Sequence, residues 1–416
     1  MIMTESKTVK AGAGIGLLLL LGALTAFDSM SIDMYLPAFT AIQEDLGLAG
    51  GVVQMSLSVF LFGLAVGQAV SGPLVDAYGR KMPLLAGIVL FGAASALVAL
   101  SPGGEMFLAG RFLQGLGGAA GLVIPRAIVG DLYEAGDATK IFALLVQVQS
   151  ISPIVAPVLG GLLLSALGWT SIFWMLVIFA ALTAVASVWR VPETHPHSLR
   201  TPLTPRNVIA SYWSLFSNRR YLGMTVSMGF VMATLFGYIG GSSFVFMTHF
   251  GLGATAYSLV FSAVSVGMII AGQLNFVLVE RMGLRRFLAM GFAVHLAFIT
   301  LFLVCVHAGM ATLWPATVLL FLAMASLGLL FGGLTSESMF SADPKIMGTA
   351  SALLGVVQYV FGAAAGLVLG LVHDGTLGPY SLLLFVCSLL ACVFWAASAK
   401  IPVWREAEAP EAVQNA

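Results

Sequence analysis

The chain has 416 residues, of which 59% are hydrophobic and 9% are charged, with a formal net charge of zero. A soluble globular protein carries roughly 25% charged residues, so this composition, with a mean hydropathy of +1.01, predicts an all-α integral membrane protein and excludes soluble enzymes. Without a net basic charge, we expect no nucleic-acid partner. The three cysteines lie within apolar runs and have no metal-ligand spacing, which predicts no metal site.

Charged residues divide the chain into apolar stretches, and a helical span requires about 20 apolar residues. Three uncharged stretches, 141–189, 221–279 and 287–336, are each long enough for two spans. One span lies between Glu105 and Asp131, and single spans are predicted in 11–27, 46–75, 82–104, 346–373 and 375–399. The sequence therefore predicts twelve transmembrane helices, and a multi-pass protein.

The basic residues predict the orientation of these spans. If the N-terminus is cytoplasmic, every Lys and Arg except Arg111 lies at or near the cytoplasmic ends of the spans. The positive-inside rule then predicts that both termini are cytoplasmic. Arg111 lies inside span 4.

The predicted spans divide into two groups of six. Residues 191–218 form a long polar segment with four prolines, which argue against a continuous helix. We predict an N-terminal six-helix bundle in 1–190, a cytoplasmic linker in 191–218 and a C-terminal six-helix bundle in 219–416. Two such bundles can rock against each other around a central cavity.

A weak internal repeat supports this division. Asp76, Gly79 and Lys81 follow span 2, and Glu280, Gly283 and Arg285 follow span 8 with the same spacing. We interpret the equivalent positions as a duplication.

Several motifs point to one family. The segment GPLVDAYGRK at 72–81 resembles the loop between spans 2 and 3 of the major facilitator superfamily. RFLQG at 111–115 and APVLGG at 156–161 resemble the span-4 and span-5 motifs of its drug:proton antiporters, although the second usually has Gly where Ala156 stands. IDMYLPA at 32–38 and RAIVGDLY at 126–133 are similar to the bicyclomycin and chloramphenicol resistance exporters. Ala77 and Asp28 depart from the family pattern.

Charges inside predicted spans are costly and are therefore functional candidates. Asp33 and Arg111 are predicted at similar depth in spans 1 and 4, either as a proton-linked switch or as a structural ion pair. Asp28 lies about 7.5 Å and about 140° from Asp33 on a helix, so we expect that the two acids do not share a face and that one lines the cavity while the other faces a neighbouring helix. Glu337 is interpreted as an interfacial residue.

A second group of residues is predicted at the cytoplasmic ends. The resemblance implies that Arg80 reaches Asp131 and that Asp76 caps span 11 near Met347, where a helix dipole favours an anion. This contact would latch the two bundles, and the alternative is an ordinary basic loop. Gly72 and Gly79 would permit a close approach and a tight turn.

Prolines and small residues indicate which predicted spans can bend. Pro153 and Pro157, followed by Gly160 and Gly161, predict that span 5 bends, with static packing as the alternative. Uncharged polar side chains within spans are candidates for the cavity wall: Gln54, Gln114, Gln147, Tyr238 and Gln358.

The chain contains no GxxxxGK[ST] loop for a nucleotide, so we expect a proton gradient as the energy source and no cofactor. The resemblance implies a monomeric, multi-pass exporter of small amphipathic drugs in the bacterial inner membrane, working by proton antiport and alternating access. The alternative is a proton-coupled exporter of a natural metabolite such as an amino acid, sugar or nucleoside. A catalytic constellation, which a membrane enzyme would need, is missing from the sequence.

Overall fold

The computed structural model describes residues 15–133, 135–194, 213–342, 347–372 and 374–401. The described chain is helical, as expected where a bilayer offers no partners for backbone polar groups. The main helices are α1 Ile15–Thr25, α2 Phe27–Asp33, α3 Phe39–Asp45, α4 Gly50–Tyr78, α5 Lys81–Ala99, α6 Gly104–Leu132, α7 Ala135–Leu167, α8 Thr170–Arg190, α9 Arg219–Ser243, α10 Ala254–Met282, α11 Leu284–His307, α12 Leu313–Phe340, α13 Met347–Leu371 and α14 Gly378–Ser398.

The first predicted span is interrupted. It consists of α1, α2 and α3, with a 3-10 turn at Leu36–Ala38 before α3, and its two parts are bent by 41° at Ala26. Pro37 lies in the 3-10 turn. Because proline has no N–H to donate to the carbonyl of residue 33, it favours the end of α2 at Asp33.

Helices α4 to α14 follow the order of predicted spans 2 to 12. Within the described residues, ten helices are long and apolar enough to cross a membrane, or eleven if the bent first pair is one span. Helix α7 is not among these ten, because its described apolar part, Ile151–Leu167, is shorter than a membrane span. The protein is therefore a multi-pass membrane protein, while the count of twelve and the orientation of the termini stay predictions.

The helices pack as two groups. In the N-terminal half, α6 packs between α4 and α5, and α5 also packs on α8; in the C-terminal half, α9 packs on α13 and α14, and α12 packs on α10 and α11. The two halves meet through two extensive helix pairs, α4 with α13 and α7 with α10. Residues 195–212 of the predicted linker lie outside the described residues.

The internal repeat has a structural counterpart. Helix α4 ends at Gly79 with φ +89°, and α10 ends at Gly283 with φ +77°. Only glycine adopts this backbone conformation without strain. The corresponding glycines of the two halves therefore make the same kind of turn.

Candidate functional site

A cavity of about 960 Å³ lies between the two halves. Helices α2, α6 and α7 contribute to its wall from the N-terminal half, and α9, α10, α12 and α13 from the C-terminal half. Its apolar lining includes Met228, Met232, Phe261, Met268 and Phe331. Methionine side chains adapt to irregular partners, so this wall suits apolar ligands of varied shape.

The cavity extends toward the end of the molecule where Arg80, Arg281 and Arg285 lie, which we call the basic end. Glu280 and Leu284, on either side of the turn at Gly283, belong to its wall. Toward the opposite end, the two halves are in contact. Ser262 Oγ donates to the carbonyl of Ile154 at 2.7 Å, which joins α10 to α7.

Helices α4 and α13 are also in close contact at the end opposite the basic end. A Cβ atom at Gly51 would lie 2.5 Å from the carbonyl oxygen of Gly370, and one at Gly366 would lie 2.4 Å from Ser58 Oγ. Glycines of α13 thus permit close approach to α4. The cavity is therefore closed away from the basic end.

Asp28 is buried in the cavity wall and is held by several donors. Its Oδ1 accepts from the backbone N–H of Ser29 at 2.7 Å. Its Oδ2 accepts from Gln149 Nε2 at 3.3 Å and from the Tyr359 hydroxyl at 3.1 Å. The Asp28 carboxyl group thereby connects α2 and α7 with α13 of the other half.

Asp33 also lines the cavity and is only 3% exposed. No described residue donates a hydrogen bond to its carboxyl group or forms an ion pair with it. The expectation that only one of the two acids lines the cavity is wrong, since both are among its lining residues. The reason is the width of the cavity wall on this helix: the lining residues of α2 are Asp28, Ser29, Ile32 and Asp33, a broad face that includes both acids.

Arg111 does not pair with Asp33, contrary to the prediction. Its guanidinium group is fully buried, with Cζ 4.2 Å from the centre of the Tyr35 ring and 4.4 Å from that of Phe60. Nη1 donates to Gln114 Oε1, and Gln114 Nε2 donates to Ser95 Oγ at 2.8 Å. Because the chain turns after Asp33, it presents Tyr35 to the guanidinium group instead of the acid.

The polar residues predicted for the cavity wall have different positions. Tyr238 and Gln358 line the cavity, whereas Gln54 and Gln114 are buried and are not among its lining residues. Gln114 is directed into the N-terminal bundle by Arg111. The side chain of Gln147 lies outside the described residues.

Two charged lining residues, Arg126 and Glu280, were not predicted for the cavity. Both had been assigned to the basic ends of the spans. Glu280 does lie at the end of α10. Arg126 lies deeper, since it precedes the end of α6 by more than one turn.

A cluster at the basic end joins four segments. Arg80 forms the predicted ion pair with Asp131, with Nε 2.9 Å from Oδ2, and its Nη1 donates to the carbonyl of Val75 at 2.9 Å. Glu193 accepts from the backbone N–H groups of Arg80 at 2.9 Å and of Lys81 at 3.2 Å. A carboxylate at the first turn of α5 is favourable.

Glu193 was not predicted as part of this cluster, because 113 residues separate it from Arg80 and no sequence spacing connects the two. Thr194 donates to Asp131 Oδ2 at 2.7 Å, so the start of the predicted linker is bound to the same cluster. The side chains of Asp76 and Met347 lie outside the described residues, and the latch between them stays a prediction. A Cβ at Gly72 would meet no atom of the described residues within 4 Å, so none of these residues approaches Gly72 closely.

The profile of the Major Facilitator Superfamily matches residues 19–367. The chain belongs to this superfamily. It is 33% identical to an uncharacterized MFS-type transporter, YdgK, of Bacillus subtilis (strain 168), over 90% of this chain and 93% of that protein. It is 29% identical to a bicyclomycin resistance protein homolog of Haemophilus influenzae, over 90% of this chain and 94% of that protein. The resemblance found in the sequence is thus confirmed, and the protein is a transporter, not an enzyme.

Solved structures support the fold. The crystal structure of a D-xylose-proton symporter has a TM-score of 0.72 and 15% identity, and the match covers 93% of this chain and 97% of that one. At this identity the likeness concerns the fold alone.

In this major facilitator transporter, Gly160 and Gly161 lie where three segments meet. A Cβ at Gly160 would lie 1.8 Å from the carbonyl oxygen of Met34, and one at Gly161 would lie 2.9 Å from Ser258 Oγ of α10. The two glycines therefore permit close packing of α7 on the interrupted first span and on the other half. Pro153 and Pro157 lie inside the continuous helix α7, and the bending of this helix stays a prediction.

Glu337 of the transporter lies one turn before the end of α12, at the depth expected of an interfacial residue, and is buried by side chains of two other helices. Its Oε1 lies 3.4 Å from Arg220 Nη2, and its Oε2 accepts from Trp395 Nε1 at 3.2 Å. This ion pair joins α12 with α9 and α14. The sequence did not show it because Arg220 and Trp395 are both far from Glu337 along the chain.

Proposed function

We propose that this transporter is a proton-coupled exporter of small amphipathic drugs. The observation that carries the proposal is the pair of buried carboxyl groups, Asp28 and Asp33, in the wall of a large and mostly apolar cavity between two helix bundles. The apolar wall provides contact area for lipophilic compounds. The name of the Haemophilus relative, a bicyclomycin resistance protein homolog, supports drug export as the direction of transport.

Asp33 is the proposed carrier of the transported proton. An ionised carboxylate buried without donors is costly, whereas a protonated carboxyl is tolerated. When the cavity opens toward water or receives a polar substrate, the surroundings of this carboxyl change, and with them its affinity for a proton. A group of this kind can take up a proton in one conformation and release it in another.

The basic end is proposed to face the cytoplasm, in accordance with the positive-inside rule. The structure then corresponds to an inward-facing state, in which a drug enters from the cytoplasm and the contacts of α4 with α13 and α7 with α10 block its exit. A proton gradient across the bacterial inner membrane would supply the energy, without a cofactor. One chain encloses its own cavity, so we propose that a monomer is sufficient.

The test is efflux from bacterial cells that lack their own major drug exporters. Cells with and without the transporter are loaded with a panel of labelled compounds that includes phenicols, amino acids, sugars and nucleosides. The proposal expects lower drug accumulation in cells with the transporter, and loss of that difference on addition of a protonophore. Export of a single metabolite with no effect on any drug, or drug export that persists without the gradient, would overturn it.

A further inference from the structure

The contact between Tyr359 and Asp28 crosses from one half of the transporter to the other. Tyr359 belongs to α13, one of the helices through which the halves pack, and its hydroxyl donates to Asp28 Oδ2 at 3.1 Å. Asp28 belongs to α2, directly after the break at Ala26. The hydrogen bond therefore joins the interrupted first span to a helix of the opposite bundle.

The partners of Asp28 are suited to a charged carboxylate. The Ser29 and Gln149 N–H groups donate to it, and so do the Ser29 and Tyr359 hydroxyls. An ionised carboxylate only accepts hydrogen bonds, whereas a protonated one must itself donate. Protonation of Asp28 would add a fifth donor to the four that surround it and remove the charge that they stabilise, and this would weaken its contact with Tyr359.

The charged and titratable neighbours of Asp28 also influence whether its carboxyl group is ionised. Helix α6 contributes Arg126, which acts on Asp28 electrostatically, and α13 contributes Tyr359. Helix α7 contributes the uncharged Gln149. On its own helix, Asp33 interacts with Asp28 as a second acid. Because Asp28 has four donors and a cation nearby and Asp33 has no described donor, Asp28 is the better able of the two to keep its charge.

We propose that Tyr359 is a positioning residue through which the C-terminal bundle responds to the charge of Asp28. While Asp28 is ionised, the hydrogen bond holds α13 against α2 and stabilises the state with the cavity open at the basic end. When Asp28 is protonated, the bond weakens and α13 is released. This inference rests on the proposed proton coupling and adds to it a separate role for the second acid.

The hydrogen bond between Tyr359 and Asp28 would act on an equilibrium between two conformations, so the size of its effect on their ratio can be estimated. A contact present in one state and absent in the other shifts their ratio by its own free energy. Loss of a hydrogen bond to a charged group is expected to change the ratio by on the order of tenfold.

The experiment measures the distance between the two halves at the basic end in proteoliposomes. Spin labels replace Tyr78 and Phe340, which are exposed at the ends of α4 and α12, in a background without the three native cysteines. Distance distributions are recorded over a pH series for the wild type, Tyr359→Phe, Asp28→Asn and the double variant. The matched control is Tyr238→Phe, which removes from the same cavity wall a hydroxyl that has no hydrogen-bond partner among the described residues.

The inference expects the wild type and Tyr238→Phe to lose the long distance as the pH falls. Tyr359→Phe should show a smaller population with the long distance at high pH, and a smaller change of that population with pH. The double variant should have nearly the same distance distributions as Tyr359→Phe alone. A Tyr359→Phe variant with the pH response of the wild type, or additive effects in the double variant, would overturn the inference alone. A wild type without any pH response would overturn the proposed proton coupling as well.

Discussion

The guanidinium carbon of Arg111 lies 4.2 Å from the centre of the Tyr35 ring, at the point where the first span is interrupted. A second ring, Phe60, is 4.4 Å from the same carbon. A planar guanidinium group over aromatic faces gains cation–π attraction, more so where water is excluded. The charge of Arg111 therefore stabilises the break in the first span that places Asp33 in the cavity.

Arg111→Lys is expected to retain little transport activity. Lysine keeps the charge but loses the planar group that stacks on aromatic rings and donates in a fixed geometry to Gln114. The measurement is drug efflux by cells with equal amounts of inserted protein. Arg281→Lys is the control, because Arg281 is exposed in the last turn of α10 and is not among the residues lining the cavity. Equal activity of Arg111→Lys and the wild type would show that the stacking geometry is dispensable.

Gly160→Ala is expected to destabilise the transporter. The added Cβ would lie 1.8 Å from the carbonyl oxygen of Met34, and this backbone atom cannot move without disturbing α2. Overpacking of this kind costs about 1–3 kcal/mol, which a thermal unfolding curve in detergent would show as a lower Tm.

Gly130→Ala is the matched control for this substitution, because a Cβ there would meet no described atom within 4 Å. Equal Tm values for the two alanine variants would mean that α7 and the first span can separate at no cost.

Glu193→Gln is expected to weaken the cluster at the basic end. The amide has one acceptor oxygen where the carboxylate has two, so it can replace only one of the bonds from the backbone N–H groups of Arg80 and Lys81. The favourable charge at the start of α5 is also lost, which by itself costs about 0.3–1 kcal/mol. Arg80→Ala should have the larger effect, since it also removes the ion pair with Asp131. The Tm of each purified variant tests this order, and a reversed order would contradict the assignment of the cluster.

The sequence supports much of this structure for identifiable reasons. Apolar stretches between charges predicted the helices α4 to α14, because the hydrocarbon region requires backbone groups to be paired within a helix. The ion pair of Arg80 with Asp131 was predicted from the family pattern. The turn at Gly79 was predicted because a positive φ favours glycine.

The interior of the cavity was less predictable. The partners of Asp28, Arg111 and Glu337 come from helices distant in sequence, and their choice depends on how the helices rotate and pack. The interruption of the first span also changed which side chains face the cavity. Pro37, in the 3-10 turn after α2, was the local signal for that interruption.

The sequence pattern gives no indication of a further hydrogen-bond network, whose residues are far apart along the chain. His295 is buried in the C-terminal bundle, with Nε2 2.8 Å from Ser388 Oγ and Nδ1 3.0 Å from Ser326 Oγ. His295→Ala would leave these hydroxyls without the ring and open a cavity, so we expect a lower Tm. Binding of a drug by the protein that remains folded should change little, because His295 is not among the residues lining the cavity. Loss of binding by folded His295→Ala protein would contradict this purely structural role.

The central claim is that Asp33 carries the transported proton, and its most direct test is drug transport by proteoliposomes with an imposed pH gradient. Asp33→Asn keeps the size of the side chain but cannot titrate. The account predicts that the variant still binds drug, that the pH dependence of its drug affinity is flatter, and that uphill accumulation driven by the gradient is abolished. Uphill accumulation and proton release on drug binding at wild-type levels in Asp33→Asn would contradict it.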